Sequence, residues 1–123
     1  MAPSKAIAGV WVLALLGGTA EAGGDMERGK SLYAARCGAC HSIEENGAGP
    51  RHAHLIGRRA GTQPGFDYSP ALRGSGIVWT AAALDRWLSN PNKLVPGNKM
   101  VVQLANDPLD RADLIAYLTA MPR

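Results

Sequence analysis

The feature that most constrains this chain is the run Cys37-Gly38-Ala39-Cys40-His41, which has the pattern C-x-x-C-H. It contains the only two cysteines of the sequence, and its spacing is the attachment signature of a c-type haem. Two thiols on one helical turn can add to the two vinyl groups of a haem, while His41 offers an imidazole nitrogen to the iron. The motif therefore predicts one haem c, bound covalently through Cys37 and Cys40, with His41 as an iron ligand.

Three other interpretations of the motif stay open. A disulfide between Cys37 and Cys40 would close a short and strained loop. A thioredoxin-like redox site would accompany a βαβ pattern, which this sequence lacks. A zinc site could add His52 and His54 to the two cysteines, but only one residue separates these histidines, where about three to five are usual. The haem interpretation fits the motif best.

The first 22 residues differ in character from the rest of the chain. Lys5 precedes an apolar run over residues 6–16, and small residues follow up to Ala22. This pattern predicts a secretory signal peptide that is cleaved after Ala22, and therefore export, in a bacterium to the periplasm. An uncleaved membrane anchor is the alternative, but a spanning helix needs about 20 apolar residues. Residues 23–123 would form a single domain.

The composition is that of a small domain with a cofactor at its centre. Of the 123 residues, 46% are apolar but only 6% are aromatic, and 15 Gly with 8 Pro indicate many loops. A chain of this size buries about two thirds of its unfolded surface, so a cofactor is plausible where large side chains are few. The formal charge of +3 is too small and too scattered to predict nucleic-acid binding.

A second iron ligand is expected downstream of His41. The methionines after the predicted cleavage site are Met26, Met100 and Met121. Met100 follows the turn-rich segment Pro96-Gly97-Asn98-Lys99, and a thioether on such a loop can be held at an iron. Met26 and Met121 are predicted to lie on helices, where methionine usually fills the core.

The chain from Gly29 onward resembles the class I c-type cytochromes, the group of mitochondrial cytochrome c and its soluble bacterial relatives. The matching stretches follow the family's order and are Cys37 to His41, Gly49-Pro50, Gly57-Arg58, Pro64 to Ser69, Trp79, Asn90-Pro91, Pro96 to Met100 and Asp113 to Leu118. The resemblance implies an all-α cytochrome c fold, with three main helices and loops around one haem whose axial ligands are His41 and Met100. It also implies a soluble, monomeric one-electron carrier between larger redox complexes, such as those of a respiratory chain, rather than an enzyme. Peroxide reduction after loss of Met100 is the alternative function.

The resemblance also assigns roles to residues around the haem. The carbonyl of Pro50 is expected to accept the N–H of His41 and so to orient the imidazole. Three residues, Arg58, Tyr68 and Trp79, match residues that donate hydrogen bonds to the haem propionates, whose burial would otherwise be costly. A surface cation at Arg58 and a core aromatic residue at Trp79 are the alternatives.

The sequence departs from the family pattern near the histidine ligand. Where relatives usually have Leu and His after Gly-Pro-Asn, this chain reads Arg51-His52-Ala53-His54. His52 or His54 could be pH-sensitive, or could replace Met100 at the iron. Exposed loop histidines are the simpler expectation.

Further departures lie near the sulfur ligand. Trp87 stands where a Tyr is usual, and Asn98 replaces a usual Thr. Both exchanges change the hydrogen-bond donors near the iron, so the family's potential and ligand strength do not transfer to this chain. Val102 replaces a common Phe beside the haem edge, which alters the expected electron-exit surface.

Local patterns predict three helices. The first spans about residues 26–38, and the resemblance implies that the last helix crosses it near Gly29 and Tyr33. A second helix follows the capping residue Thr80 and ends before Pro91. The third begins at Asp107-Pro108, a cap followed by proline, and its apolar stripe consists of Leu114, Tyr117, Leu118 and Met121.

Three basic residues, Arg36, Lys93 and Lys99, are expected around the exposed haem edge. Such a positive rim would steer the protein weakly toward acidic partners. The alternative is that these residues are ordinary solvated charges.

Overall fold

A computed structural model of the chain describes residues 2, 3, 9 and 23–121. Its helices are α1 (Met26–Arg36), α2 (Pro70–Arg73), α3 (Ala81–Ser89), α4 (Pro91–Leu94) and α5 (Pro108–Ala120). Within the described part of the chain the extended pairing is limited to one isolated β-bridge between Arg59 and Val78. The predicted all-α class is confirmed, with three main helices and two short ones.

The predicted signal peptide and its cleavage site at Ala22 lie outside the described residues, apart from positions 2, 3 and 9. Cleavage therefore stays a prediction. Among the described helices, none combines the length and the apolar character that a membrane crossing requires.

The long helices α1 and α5 begin at aspartate caps. The Asp25 side chain accepts the N–H of Arg28 at 3.0 Å, and that of Asp107 accepts the N–H of Leu109 at 2.8 Å. Helix α1 ends two residues before the predicted end, because the N–H groups of both Cys37 and Gly38 bond to the carbonyl of Tyr33. This closing turn places the C-x-x-C-H motif directly after α1.

The prediction missed the two short helices. Helix α3 follows the predicted cap Thr80 and ends at Ser89. Pro91, which was predicted only to end this helix, is also the first residue of α4. Asn90 caps α4, and Ser69 caps α2 in the same way through the N–H of Leu72. A four-residue helix has no apolar periodicity to detect, so the cap followed by proline was the only signal.

Helices α1 and α5 cross at Gly29, as predicted. A Cβ at this glycine would lie 2.9 Å from the Cβ of Tyr117 and closer still to the carbonyl of Asp113. The rings of Tyr33 and Tyr117 pack beside this point, with centroids 5.2 Å apart. Only glycine lets the two backbones approach this closely.

An ion-pair cluster joins the same two helices. Arg28 pairs with Asp110 at 2.6 Å and with Asp113, and Arg36 pairs with the second oxygen of Asp110 at 2.8 Å. The hydrogen bonds from Arg28 hold the pKa of both carboxyls below the usual value. Asp110 lies in the first turn of α5, where a negative charge complements the helix dipole, and it also partly neutralises Arg36.

The two methionines predicted as core residues differ. Met26 is 41% exposed on the first turn of α1, so its assignment to the core was wrong. Met121 follows the last turn of α5 and packs, partly buried, against the main hydrophobic cluster. The apolar stripe of α5 ahead of it is buried as predicted, through Leu114, Tyr117 and Leu118.

Candidate cofactor site

A cavity of about 320 Å³ brings the C-x-x-C-H motif together with Met100, which lies far downstream in the sequence. The motif residues Cys37, Cys40 and His41 line it, and so does Met100. Most of the other lining side chains are apolar, among them Leu55, Phe66, Leu72, Leu84, Leu88 and Leu114. This is the character of a small-molecule site, since such sites are concave and mostly apolar with a few polar groups.

The residues of this cavity fit a c-type haem. Apolar walls suit the macrocycle, and imidazole nitrogen and thioether sulfur are both iron ligands. Cys37 and Cys40 are free thiols, so the alternative disulfide is not formed, and burial raises the pKa of Cys37 to about 11. The zinc alternative also fails, because the described residues contain no group of three or more His, Cys, Asp and Glu side chains that could hold a metal ion.

The His41 ring is oriented by backbone groups. Its Nδ1 donates to the carbonyl of Pro50 at 2.8 Å, which is the contact expected from the resemblance. The backbone N–H of His41 donates to the carbonyl of Cys37 at 2.9 Å. Burial lowers the pKa of His41, and the bond to Pro50 opposes that shift. A neutral imidazole with its proton on Nδ1 leaves Nε2 free to bind a metal.

Gly49 is a site residue whose role the sequence reasoning missed. A Cβ at this buried position would lie 2.6 Å from both Nδ1 and Nε2 of His41, and closer still to Cε1. The imidazole therefore lies directly on the Gly49 backbone. The pair Gly49-Pro50 was part of the resemblance, but only the packing explains why the first residue is glycine.

The two loop histidines behave differently. His54 is exposed, as expected, and has a positive φ of 53°. His52 is not an exposed histidine: its ring stacks on that of His41, with centroids 4.1 Å apart and planes inclined by 20°. Burial holds the pKa of His52 well below its usual value. The expectation for His52 was wrong because its ring turns inward onto the motif histidine.

The loop that carries Met100 is held by Asn98. This buried amide donates to the carbonyl of Val95 at 2.8 Å, and its oxygen accepts the N–H of Met100 at 2.6 Å. The departure from Thr at this position therefore supplies two contacts to the loop backbone. Trp87, the other departure, lines the cavity and is buried.

Of the three predicted propionate donors, only Tyr68 lines the cavity. Trp79 is buried and packs edge to face on Trp87, with centroids 5.3 Å apart, as a core aromatic residue would. The Arg58 guanidinium is not a surface cation, since it donates to Gln63 Oε1 at 2.6 Å and to two backbone carbonyls. Burial lowers the pKa of Arg58.

Gln63 was missed by the sequence reasoning. It is buried, and its backbone N–H donates to the hydroxyl of Tyr68 at 3.1 Å while its side chain accepts from Arg58. The Arg58 guanidinium is therefore linked through Gln63 to Tyr68, which lines the cavity. No periodic or capping signal marks Gln63, so the sequence gives no reason to select it.

The three cations of the expected positive rim differ in their surroundings. Arg36 pairs with Asp110, and Lys99 donates to the carbonyl of Asp67 at 2.7 Å and to its carboxylate at 3.2 Å. Lys93 is exposed. Two of the three cations thus have acidic partners within the protein, which reduces their field at the surface.

Comparison with known proteins agrees with this geometry. The family model described as "Cytochrome c" matches residues 26–122. Cytochrome c2 of Rhodomicrobium vannielii is 42% identical over 103 residues, which cover 81% of this chain and 82% of the relative. Cytochrome c of Euglena viridis is 43% identical over 100 residues, which cover 80% and 98% of the two chains.

A solved structure is also similar. The structure of cytochrome cH from Methylobacterium extorquens superimposes with a TM-score of 0.75 at 43% identity. The match covers 79% of this chain and 99% of that one. The similarity therefore extends over the described domain rather than over the motif alone.

Proposed function

Because this chain belongs to the cytochrome c family, whose members carry one haem c on two cysteines and act as electron carriers, we propose that it shuttles single electrons between larger redox complexes. The observation that carries the proposal is the cavity lined jointly by Cys37, Cys40, His41 and Met100. When bound there, the haem supplies an iron that alternates between the ferric and ferrous states.

The proposal includes His41 and Met100 as the axial ligands. Support for His41 comes from its position after Cys40 and from its Nδ1 bond to Pro50, which leaves Nε2 for the iron. Support for Met100 comes from its place in the cavity and from the bond between its N–H and Asn98. If His41 and Met100 both bound the iron, it would have no open site for a substrate, which favours electron transfer over catalysis.

We further propose export and a bacterial periplasmic location. The support is the signal-peptide pattern of residues 1–22. A protein whose haem is attached outside the cytoplasm would need such a signal. The redox partners would be proteins, and the chain would act as a monomer. Arg58, Tyr68 and Trp79 remain proposed propionate partners, and Tyr68 is the one of the three that lines the cavity.

The test of the ligand proposal is Met100→His in the purified holoprotein. A soft thioether opposite an imidazole stabilises ferrous iron, so the variant is expected to have a lower midpoint potential and to lose the weak sulfur-to-iron band at the red end of the ferric spectrum. Met26→His is the matched control, since Met26 is 41% exposed on α1 and does not line the cavity. An unchanged band and potential in Met100→His would contradict the proposal, and rapid wild-type turnover with peroxide would favour the enzymatic alternative.

A further inference from the structure

His52 is the departure from the family pattern that lies closest to the proposed iron ligand. Its ring is nearly parallel to that of His41, with centroids 4.1 Å apart and planes inclined by 20°. Its Nδ1 lies 2.9 Å from the hydroxyl of Tyr33, within hydrogen-bond distance. An aliphatic residue, as relatives usually have here, could make neither contact.

Tyr33 holds the His52 ring in place. It is a buried residue of α1, and its ring packs on Tyr117 of α5 at a centroid distance of 5.2 Å. Its ring also meets His52 edge-on, with centroids 5.6 Å apart. The orientation of the His52 ring is thus tied to the crossing of the two long helices rather than to its own loop.

The other contacts of His41 do not prevent its imidazole ring from tilting. The bond from Nδ1 to Pro50 fixes one edge of the ring, and the Gly49 backbone lies against Nδ1, Cε1 and Nε2. A single hydrogen bond from Nδ1 to the Pro50 carbonyl still allows the His41 ring to tilt and to rotate about the axis of that bond. A flat partner on the face of the imidazole opposes that motion, because tilting would separate or overlap the stacked rings.

We propose that His52 is a positioning residue that fixes the plane of the His41 imidazole through face-to-face stacking, with Tyr33 as its anchor. The inference rests on the proposed function, in which His41 binds the haem iron. The plane of an axial imidazole determines how the d orbitals of a low-spin ferric iron are split. His52 would therefore set the magnetic signature of the oxidised protein without touching the iron.

The test is a set of variants of the holoprotein, measured by ferric EPR and by the spread of the haem methyl NMR shifts. His52→Leu removes both contacts with a side chain that relatives use at this position, so the variant is expected to fold. Tyr33→Phe removes only the hydroxyl, and His52→Phe keeps an aromatic face without the hydrogen bond. We expect the largest change of g values and methyl shifts in His52→Leu and smaller changes in Tyr33→Phe and His52→Phe.

Tyr117→Phe is the control. The Tyr117 ring packs on the ring of Tyr33 and not on that of His52, and the substitution keeps this ring. It is expected to leave the spectra as in the wild type. Identical g values and methyl shifts in the wild type and His52→Leu would overturn the inference. Failure of the proposed function would be a different result, because the wild-type protein itself would then lack the spectrum of an iron bound by His and Met.

Discussion

The two sides of the cavity are built differently. The His41 wall, residues 37–54, is joined by backbone hydrogen bonds, such as those from Gly49 to Cys40 at 2.7 Å and from Ala53 to Ile43 at 2.9 Å. The Met100 loop, residues 96–106, is held mainly by side chains that bond to its backbone. Removing one side chain can therefore loosen the loop, while the wall has several parallel bonds.

The side chains that hold the Met100 loop come from three parts of the chain. Asn98 acts from within the loop, Arg36 of α1 donates to the carbonyl of Leu104 at 3.0 Å, and Arg111 of α5 donates to that of Ala105 at 3.0 Å. Apolar burial adds little near the ligand, since Val101 is 73% exposed. Segments with few buried contacts open at low free energy, so ligand strength is expected to depend on this loop.

The largest effect is expected at the His41 wall, from Gly49→Ala. The new Cβ would lie 2.6 Å from both ring nitrogens of His41, and the ring cannot retreat without leaving Pro50 or His52. Overpacking of this kind lowers the free energy of unfolding by about 3 kcal/mol or more. Chemical denaturation of the holoprotein measures the loss.

Gly47→Ala is the matched control for this substitution. It lies two residues earlier in the same loop, but its Cβ would meet only the carbonyl of Cys40, at 3.3 Å. A cost of under about 1 kcal/mol is expected, since a small adjustment relieves the contact. Equal losses in the two variants would show that the Gly49 backbone does not position the imidazole.

The second largest effect is expected from a comparison of two asparagines, Asn98 in the Met100 loop and Asn46 in the His41 wall. Asn98 is buried and its side chain bridges Val95 and Met100, so Asn98→Ala removes two hydrogen bonds and costs about 0.5–1.5 kcal/mol for each of them. Asn46 bridges Arg51 and Pro64 in the same way but is exposed, so water can replace it in Asn46→Ala.

Hydrogen exchange at residues 99–106 and the sulfur-to-iron band measure this difference. Asn98→Ala is expected to speed exchange in the loop and to weaken the band, because the opened loop releases Met100. Asn46→Ala should leave both unchanged. If the two variants had the same effect on the band, the loop would not be the weaker side.

Local signals in the sequence were enough to predict the main helices and the identity of the cofactor. The predicted caps Thr80 and Asp107 act within one turn, so they can be recognised without the fold. The C-x-x-C-H run is equally local, and the class I cytochrome resemblance that it began is confirmed by the comparisons.

The contacts that shape the cavity could not be predicted in the same way. The stack of His52 on His41 and the bridge of Gln63 between Arg58 and Tyr68 depend on which way a side chain turns in three dimensions. Polar residues in loops carry no periodicity that would show their direction. The sequence indicates that position 52 is unusual, but not that its ring faces the ligand.

The smallest effect is expected from the surface contact of the Met100 loop. Lys99 donates to the carbonyl of Asp67 at 2.7 Å and to its carboxylate at 3.2 Å, and the side chains of the two residues are 55% and 88% exposed. Exposed ion pairs contribute about 0–1 kcal/mol and are screened by salt, so Lys99→Gln should speed hydrogen exchange in the loop only slightly, and less at high ionic strength. Asp67→Asn separates the two contacts, because it removes the charge and keeps the backbone acceptor. A smaller effect in Asp67→Asn than in Lys99→Gln would assign the contribution to the carbonyl, whereas an effect of Lys99→Gln as large as that of Asn98→Ala would mean that the loop is held from its surface rather than from within.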